Sequence, residues 1–204
     1  MKNLVILGAG SAGTIMANHL CRSLPRQEWS VTVVEQHRTH YYQPGFLFMP
    51  FGIYRDNQAR KGGKRFIPNA ASFVRERAEV IDHENNRIEL AGGRTIPYDI
   101  LIIATGARIV PGEVEGVEGD QWHRTIHDFY TFEGARTLRE HLAKFEGGKL
   151  AVHITEMPIK CPVAPLEFTF LADWFFKKRG IRDRVDISFV TPLSSAFTKP
   201  TAAK

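Results

Sequence analysis

Apolar positions change their rhythm several times along the chain, and each change predicts an element. Lys2 to Leu7 is short and almost continuously apolar, as in a strand buried on both faces of a parallel sheet. Ser11 to Leu24 takes helical spacing, with Ile15, Met16, Leu20 and Leu24 on the apolar positions and Pro25 closing the run. Val31 to Glu35 is rich in β-branched residues and predicts a second strand. Strand, helix and strand in this succession make a βαβ unit, the element from which parallel sheets are built.

From His37 to Ile67 no periodicity holds. Pro44, Gly45, Pro50, Gly52 and several aromatics fall here, which predicts a long functional loop with at most one short helix. Phe73 to Asp82, Arg87 to Leu90 and Thr95 to Tyr98 predict short strands, the last two joined by a turn at Ala91-Gly92-Gly93. Asp99 to Ala104 predicts another buried strand, ending at Thr105-Gly106. A fresh start follows: helix at Thr131 to Phe145, strand at Lys149 to Ile154, helix at Leu166 to Lys178, strand at Val185 to Val190. The expected class is α/β. A Rossmann-like doubly wound parallel sheet takes residues 1–110, and 111–204 begin a second Rossmann-like domain.

Between the first strand and the first helix stands Gly8-Ala9-Gly10-Ser11-Ala12-Gly13, a G-x-G-x-x-G in the strand-to-helix setting that gives it meaning. The first glycine permits a tight turn, the second lets backbone approach a pyrophosphate, and the third lets the helix lie close to the strand. The helix N-terminus offers free N–H groups and a favourable dipole to the anion. Glu35, followed by Gln36, closes the second strand where a carboxylate accepts ribose hydroxyls. That carboxylate disfavours a 2′-phosphate and hence NADP, while FAD and NAD both remain open on the fingerprint alone.

Composition narrows the picture. The chain has 204 residues, 43% hydrophobic and 24% charged, which excludes a disordered or fibrous protein. The longest apolar run, Ile100 to Thr105, is far short of the roughly 20 residues of a membrane span. The first apolar run leads into glycines rather than a cleavage site, so no secretory signal is expected. Two cysteines, Cys21 and Cys161, make no disulfide framework. The net charge of +5 is modest, and the basic clusters at Arg55 to Arg65 and Lys177 to Arg184 read as solvated surface. Without a recognition-helix pattern, nucleic acid is not an expected partner. No metal site is expected either.

The segment Tyr98-Asp99-Ile100-Leu101-Ile102-Ile103-Ala104-Thr105-Gly106-Ala107 resembles the second signature of two-dinucleotide flavoproteins. In that group its Thr-Gly end passes near the flavin diphosphate and ribitol, which implies FAD as the cofactor and Ala104, Thr105 and Gly106 as contacts. Within the group the chain is similar to the sulfide:quinone oxidoreductase and flavocytochrome c sulfide dehydrogenase flavoprotein branch. The specific part is Pro158-Ile159-Lys160-Cys161-Pro162-Val163-Ala164-Pro165-Leu166-Glu167. Where NAD(P)H-dependent relatives place a second glycine fingerprint, this chain has prolines and no glycine. The pyrophosphate cradle is missing, which argues against NAD(P)H as the electron source.

The resemblance implies that Cys161 faces the flavin, takes up sulfide sulfur and works with a second cysteine far along the chain. Helix N-termini and neighbouring cations such as Lys160 favour a thiolate, the nucleophilic form. Glu167 matches a family carboxylate proposed to handle protons. Gln36, Gln43, Pro44 and Val80 are expected as further flavin contacts, and Phe46, Phe48 and Phe51 line either that surface or the core. Sulfide and quinone are the implied substrates.

Departures are specific. A C-x-x-x-x-C pair is absent, no cysteine occurs in His37 to Pro50 for a covalent flavin link, and the further cysteine, followed by His, that many relatives carry near Thr125-Ile126-His127-Asp128 is absent there. Family members run to about twice this length, so the chain, stopping at Thr198 to Lys204, is expected to be an N-terminal half. Self-association or a missing partner segment is then expected, because a half-built flavin domain exposes apolar surface. The expected location is cytoplasmic or peripheral to the inner membrane, with membrane contact through regions beyond this chain. The runner-up readings are a type II NADH:quinone dehydrogenase-like flavoprotein and a non-catalytic FAD-binding fragment.

Overall fold

In a computed structural model, residues 1–196 are described; the tail Thr198 to Lys204 lies outside the described residues. The chain divides into two compact units, Met1–Tyr42 with Asn57–Arg108, and Gln43–Asp56 with the chain from Ile109 onward.

The first unit opens as the apolar pattern predicts: β1 (Lys2–Leu7), α1 (Ser11–Ser23) and β2 (Trp29–Val34). The stretch expected to be a loop instead holds two short antiparallel strands, β3 (Thr39–Tyr41) and β4 (Arg60–Gly62), with the short helix α2 (Asp56–Ala59) and 3-10 turns between them. Strands of three residues are too short for a period to register, which is why the sequence reads as aperiodic there. The predicted strand at Phe73 to Asp82 is in fact two, β5 (Ser72–Val74) and β6 (Ala78–Asp82). They belong to different sheets. β6, β7 (Arg87–Leu90) and β8 (Thr95–Pro97) form an antiparallel three-stranded sheet, whereas β9 (Ile100–Ile103) returns to the parallel one.

The parallel sheet runs β5-β2-β1-β9. Leu7 pairs with both Val34 and Ile103, so three strands end in register at one edge. One face packs on α1 through Leu4, Ile6, Ala17, Val31 and Val33. The other carries Val5 and Val34 against Ile88 and Leu90 of the antiparallel sheet. Ile15, expected on the apolar helical face, is 66% exposed; the buried residues of α1 are the smaller Gly13, Thr14 and Ala17. A helix lying this close to a sheet needs small residues at the contact.

The second unit holds α3 (Phe132–Lys144), β10 (Gly148–His153), α4 (Ala164–Lys178) and β11 (Val185–Val190). Its two strands are parallel, Val152 opposite Phe189, and α4 makes the crossover. Thr131 caps α3 by accepting from the Gly134 backbone N–H at 3.0 Å. Its core joins Leu138, Leu142, Phe168, Ala172 and Phe176 to Leu47 and Phe51 from the inserted segment 43–56. The aromatics Phe46 and Phe51 are therefore core, as one of the two readings has it, and Phe48 packs against the same cluster. By their contacts, residues 43–56 group with the chain from Ile109 onward and not with the rest of residues 1–108.

Candidate functional site

The aligned strand ends of the first unit build a narrow platform. Gly8, with φ +102°, hydrogen-bonds its N–H to Val34 O at 2.8 Å, and a Cβ there would overlap the Ala104 carbonyl. Gly13 is as constrained, because a Cβ on it would run into the Gly8 carbonyl. Gly10 differs: its φ of −71° suits any residue, and nothing lies within 4 Å of where its Cβ would be. Two glycines are thus required by the protein's own packing, and the third keeps open space in front of the α1 N-terminus. The N–H groups of Ser11, Ala12 and Gly13 fall in the first turn, where a helix has no internal acceptors to offer. An anion such as a pyrophosphate fits that combination.

Glu35 lies just past β2, and its carboxylate reaches the glycine turn. Oε2 accepts from Ala9 N–H at 2.8 Å and Oε1 from His37 N–H at 2.8 Å. These bonds orient the carboxylate and leave lone pairs for hydroxyl donors. His40 also reaches this turn, Nδ1 at 2.9 Å from Ala9 O, with its ring against Phe66 at 4.5 Å. The sequence reading missed His40, since a lone His in an aperiodic stretch carries no signal.

Ala104 N–H bonds Leu7 O at 2.7 Å, and Gly106 takes φ +73°. Gly8, Ala9, Gly13, Glu35, Ala104 and Thr105 are therefore brought together. Val80 is 48% exposed on β6, beside a register irregularity, with no bond to the glycine turn. Gln36 follows Glu35 directly, while Gln43 and Pro44 are exposed at the start of the segment that belongs to the second unit.

In the second unit Cys161 is partly buried in the turn before α4. Its carbonyl accepts from Ala164 N–H at 3.2 Å and from the Tyr130 hydroxyl at 3.0 Å. Burial pushes the Tyr130 hydroxyl well above its ordinary range, with a smaller contribution from a charge on Cys161, so the phenol stays a donor. Tyr130 is held in turn by Asp128, whose Oδ1 accepts from the N–H groups of Tyr130 (2.8 Å) and Thr131 (2.6 Å). Asp128 Oδ2 takes the Thr131 hydroxyl at 3.0 Å and His123 Nε2 at 3.3 Å. Tyr130 and Asp128 were not singled out from sequence. Asp and Thr just ahead of an apolar-periodic run are a capping signature that points to this corner.

Glu167 is exposed in the first turn of α4. His127 is half-buried, its Nε2 donating to Arg124 O at 3.0 Å, and it lines an open groove of about 360 Å³ with His123 and His141. Cys21, near the end of α1, packs against the sheet core, and burial pushes its thiol up. Among the described residues no group of His, Cys, Asp and Glu has the arrangement of a metal site, and no helix is long and apolar enough to cross a membrane.

Comparison with known proteins gives this geometry a context. The mitochondrial sulfide:quinone oxidoreductase of Dictyostelium discoideum is 28% identical over 198 residues, covering 97% of this chain and 44% of its own. A type II NADH:quinone oxidoreductase of Haemophilus influenzae is 33% identical over 132 residues, or 57% of this chain and 29% of its own. The X-ray structure of the Aquifex aeolicus sulfide:quinone oxidoreductase has the same fold at 24% identity, with a TM-score of 0.78 over 97% of this chain and 45% of that one. The chain thus spans less than half the length of the relatives it matches. Residues 2–152, the greater part of the described chain, match the family model described as pyridine nucleotide-disulphide oxidoreductase, and the chain belongs to that family.

Proposed function

We propose that this chain forms the FAD-binding and sulfur-handling half of a flavoprotein that oxidises sulfide and passes the electrons to a quinone. The observation that carries the reading is Cys161. It stands on the turn after β10, between Pro158, Pro162 and Pro165, where NAD(P)H-using relatives are expected to carry a glycine cradle. The likeness to sulfide:quinone oxidoreductases along 97% of the chain supports it.

FAD, when bound, supplies a two-electron acceptor. Gly10 and the first turn of α1 hold its pyrophosphate, Glu35 takes ribose hydroxyls, and the Ala104-Thr105-Gly106 turn lets the cofactor come close to backbone. Gln36, Gln43, Pro44 and Val80 are assigned as outer contacts. Cys161 starts in a disulfide with the second cysteine, which a further segment supplies; hydrosulfide attacks the Cys161 sulfur, the S–S bond breaks, the second cysteine leaves as a thiolate, and the persulfide stays on Cys161. Glu167, in water at the start of α4, is the proton carrier for this exchange. Quinone contact at a membrane surface, and the pairing of two such chains or completion by a further segment, belong to the same reading.

The test is the visible spectrum of the FAD-loaded protein, recorded anaerobically before and after sulfide, with NADH as a second arm. Bleaching by sulfide alone supports the reading, and Cys161→Ser then abolishes it. Bleaching by NADH favours the second reading, a type II NADH:quinone dehydrogenase-like protein, for which the Haemophilus relative speaks. A flavin that neither reagent reduces identifies a binding fragment.

A further inference from the structure

We propose that Tyr130 is a positioning residue for Cys161, its hydroxyl clamping the Cys161 carbonyl and so fixing the turn that carries the thiol. The inference rests on the reading of Cys161 as the sulfur carrier. A segment with prolines at 158, 162 and 165 lacks three backbone donors, so it has few bonds of its own with which to hold a shape. External anchors must do so. The 3.0 Å bond from Tyr130 is such an anchor, tying residue 161 to a position 31 residues earlier in the chain.

The anchor is itself fixed. The Asp128 carboxylate grips the N–H groups of Tyr130 and Thr131, so Tyr130 does not move without loosening the cap of α3. Phe129 stacks on Phe168 of α4 at 4.6 Å with the rings 7° apart, which joins the same corner to the helix that Cys161 precedes. The Cys161 carbonyl also receives Ala164 N–H. The thiol is therefore oriented by the beginnings of two helices at once. A reaction between sulfur centres depends on sub-ångström placement, and such placement is what a clamp on the adjacent carbonyl supplies.

Tyr130→Phe removes only the oxygen. The experiment uses the full chain and follows iodoacetamide alkylation of both cysteines by peptide mass spectrometry, with Cys21 as the internal reference. Loss of one hydrogen bond favours local opening about fivefold, so Cys161 alkylation rises about fivefold while Cys21 keeps its rate. Local opening exposes little surface, so the increase is flat in urea below the unfolding transition. A Cys161 rate unchanged within twofold overturns the inference, and so does an increase that climbs with urea, which reports general loosening. If Tyr130→Phe does not fold, Asp128→Ala removes the acceptor of the Tyr130 N–H, releases the anchor from its other side and is expected to act in the same direction. Alkylation is scored on the thiol itself. Sulfide bleaching that survives Cys161→Ser removes the sulfur-carrier reading without touching the clamp, and an unchanged alkylation rate removes the clamp whatever the spectrum shows.

Discussion

Substituting Gly10 and Gly13 separately by alanine distinguishes a glycine kept for a ligand from one kept for the fold. In Gly13→Ala the new Cβ overlaps the Gly8 backbone carbonyl and touches the Ile6 side chain at Cγ2, 3.4 Å away, so backbone must shift to admit it. Overpacking of this kind costs about 3 kcal/mol, which lowers the melting temperature of the first unit by roughly 12–24 °C. In Gly10→Ala nothing is touched. Alanine is a poorer helix cap than glycine, but it also restricts the unfolded chain, and the net change stays within about 1 kcal/mol. Its methyl instead projects into the space where a pyrophosphate would lie. Losing one or two charge-assisted N–H bonds weakens flavin binding by roughly 10- to 100-fold. Differential scanning fluorimetry of the apoprotein and a flavin fluorescence titration measure the two effects. Equal melting losses in both variants, or wild-type flavin affinity in Gly10→Ala, would refute the assignment of that open space to the cofactor.

Phe168, 2% exposed and set between Phe51 and Phe129, is expected to cost about 3–5 kcal/mol on truncation to alanine, read as a lower urea midpoint for the second unit. Burial, joined by the charges of His141 and His123 and opposed by the Arg124 carbonyl and Asp128, holds His127 below its ordinary value of 6.5. The fold therefore favours the neutral ring. This contribution to stability is full above pH 6.5 and fades as pH falls through the depressed value, because the unfolded chain then binds the extra proton. Melting temperatures between pH 7.5 and 5 should decline less in His127→Gln than in the parent, and parallel curves would contradict the argument.

What the sequence makes legible follows from how local each cause is. The β1–α1–β2 unit with its glycines and Glu35, and the β10–α4–β11 unit, are written in periods and spacings that lie within one stretch of chain. Residues 43–56 are not. Phe46, Met49 and Phe51 carry no helical or strand period, and their partners on α3 and α4 are remote in sequence, so proximity alone assigns them to the wrong unit. The split of Phe73 to Asp82 into β5 and β6 is hidden for a related reason. Both halves are apolar, and only the pairing of β5 with β2 and of β6 with β7 separates them. At the sites, the glycine turn is readable because ligand chemistry demands it. The contacts of His40 and Tyr130 with backbone carbonyls are made across the fold by single side chains and leave no trace in spacing.

The membership of residues 43–56 in the second unit also sets an order of events during synthesis. Phe51 leaves the ribosome roughly 117 residues before Phe168, the ring it will lie against at 5.0 Å. At ordinary elongation rates that interval is roughly 6–23 s. For that time the growing chain carries Phe46, Leu47, Met49 and Phe51 as an uncovered apolar segment between two parts of a unit that is otherwise ready to fold. A chaperone that recognises short apolar stretches has its natural target there. A translational pause placed between residues 57 and 164 lengthens the exposure, whereas rapid synthesis through α4 ends it.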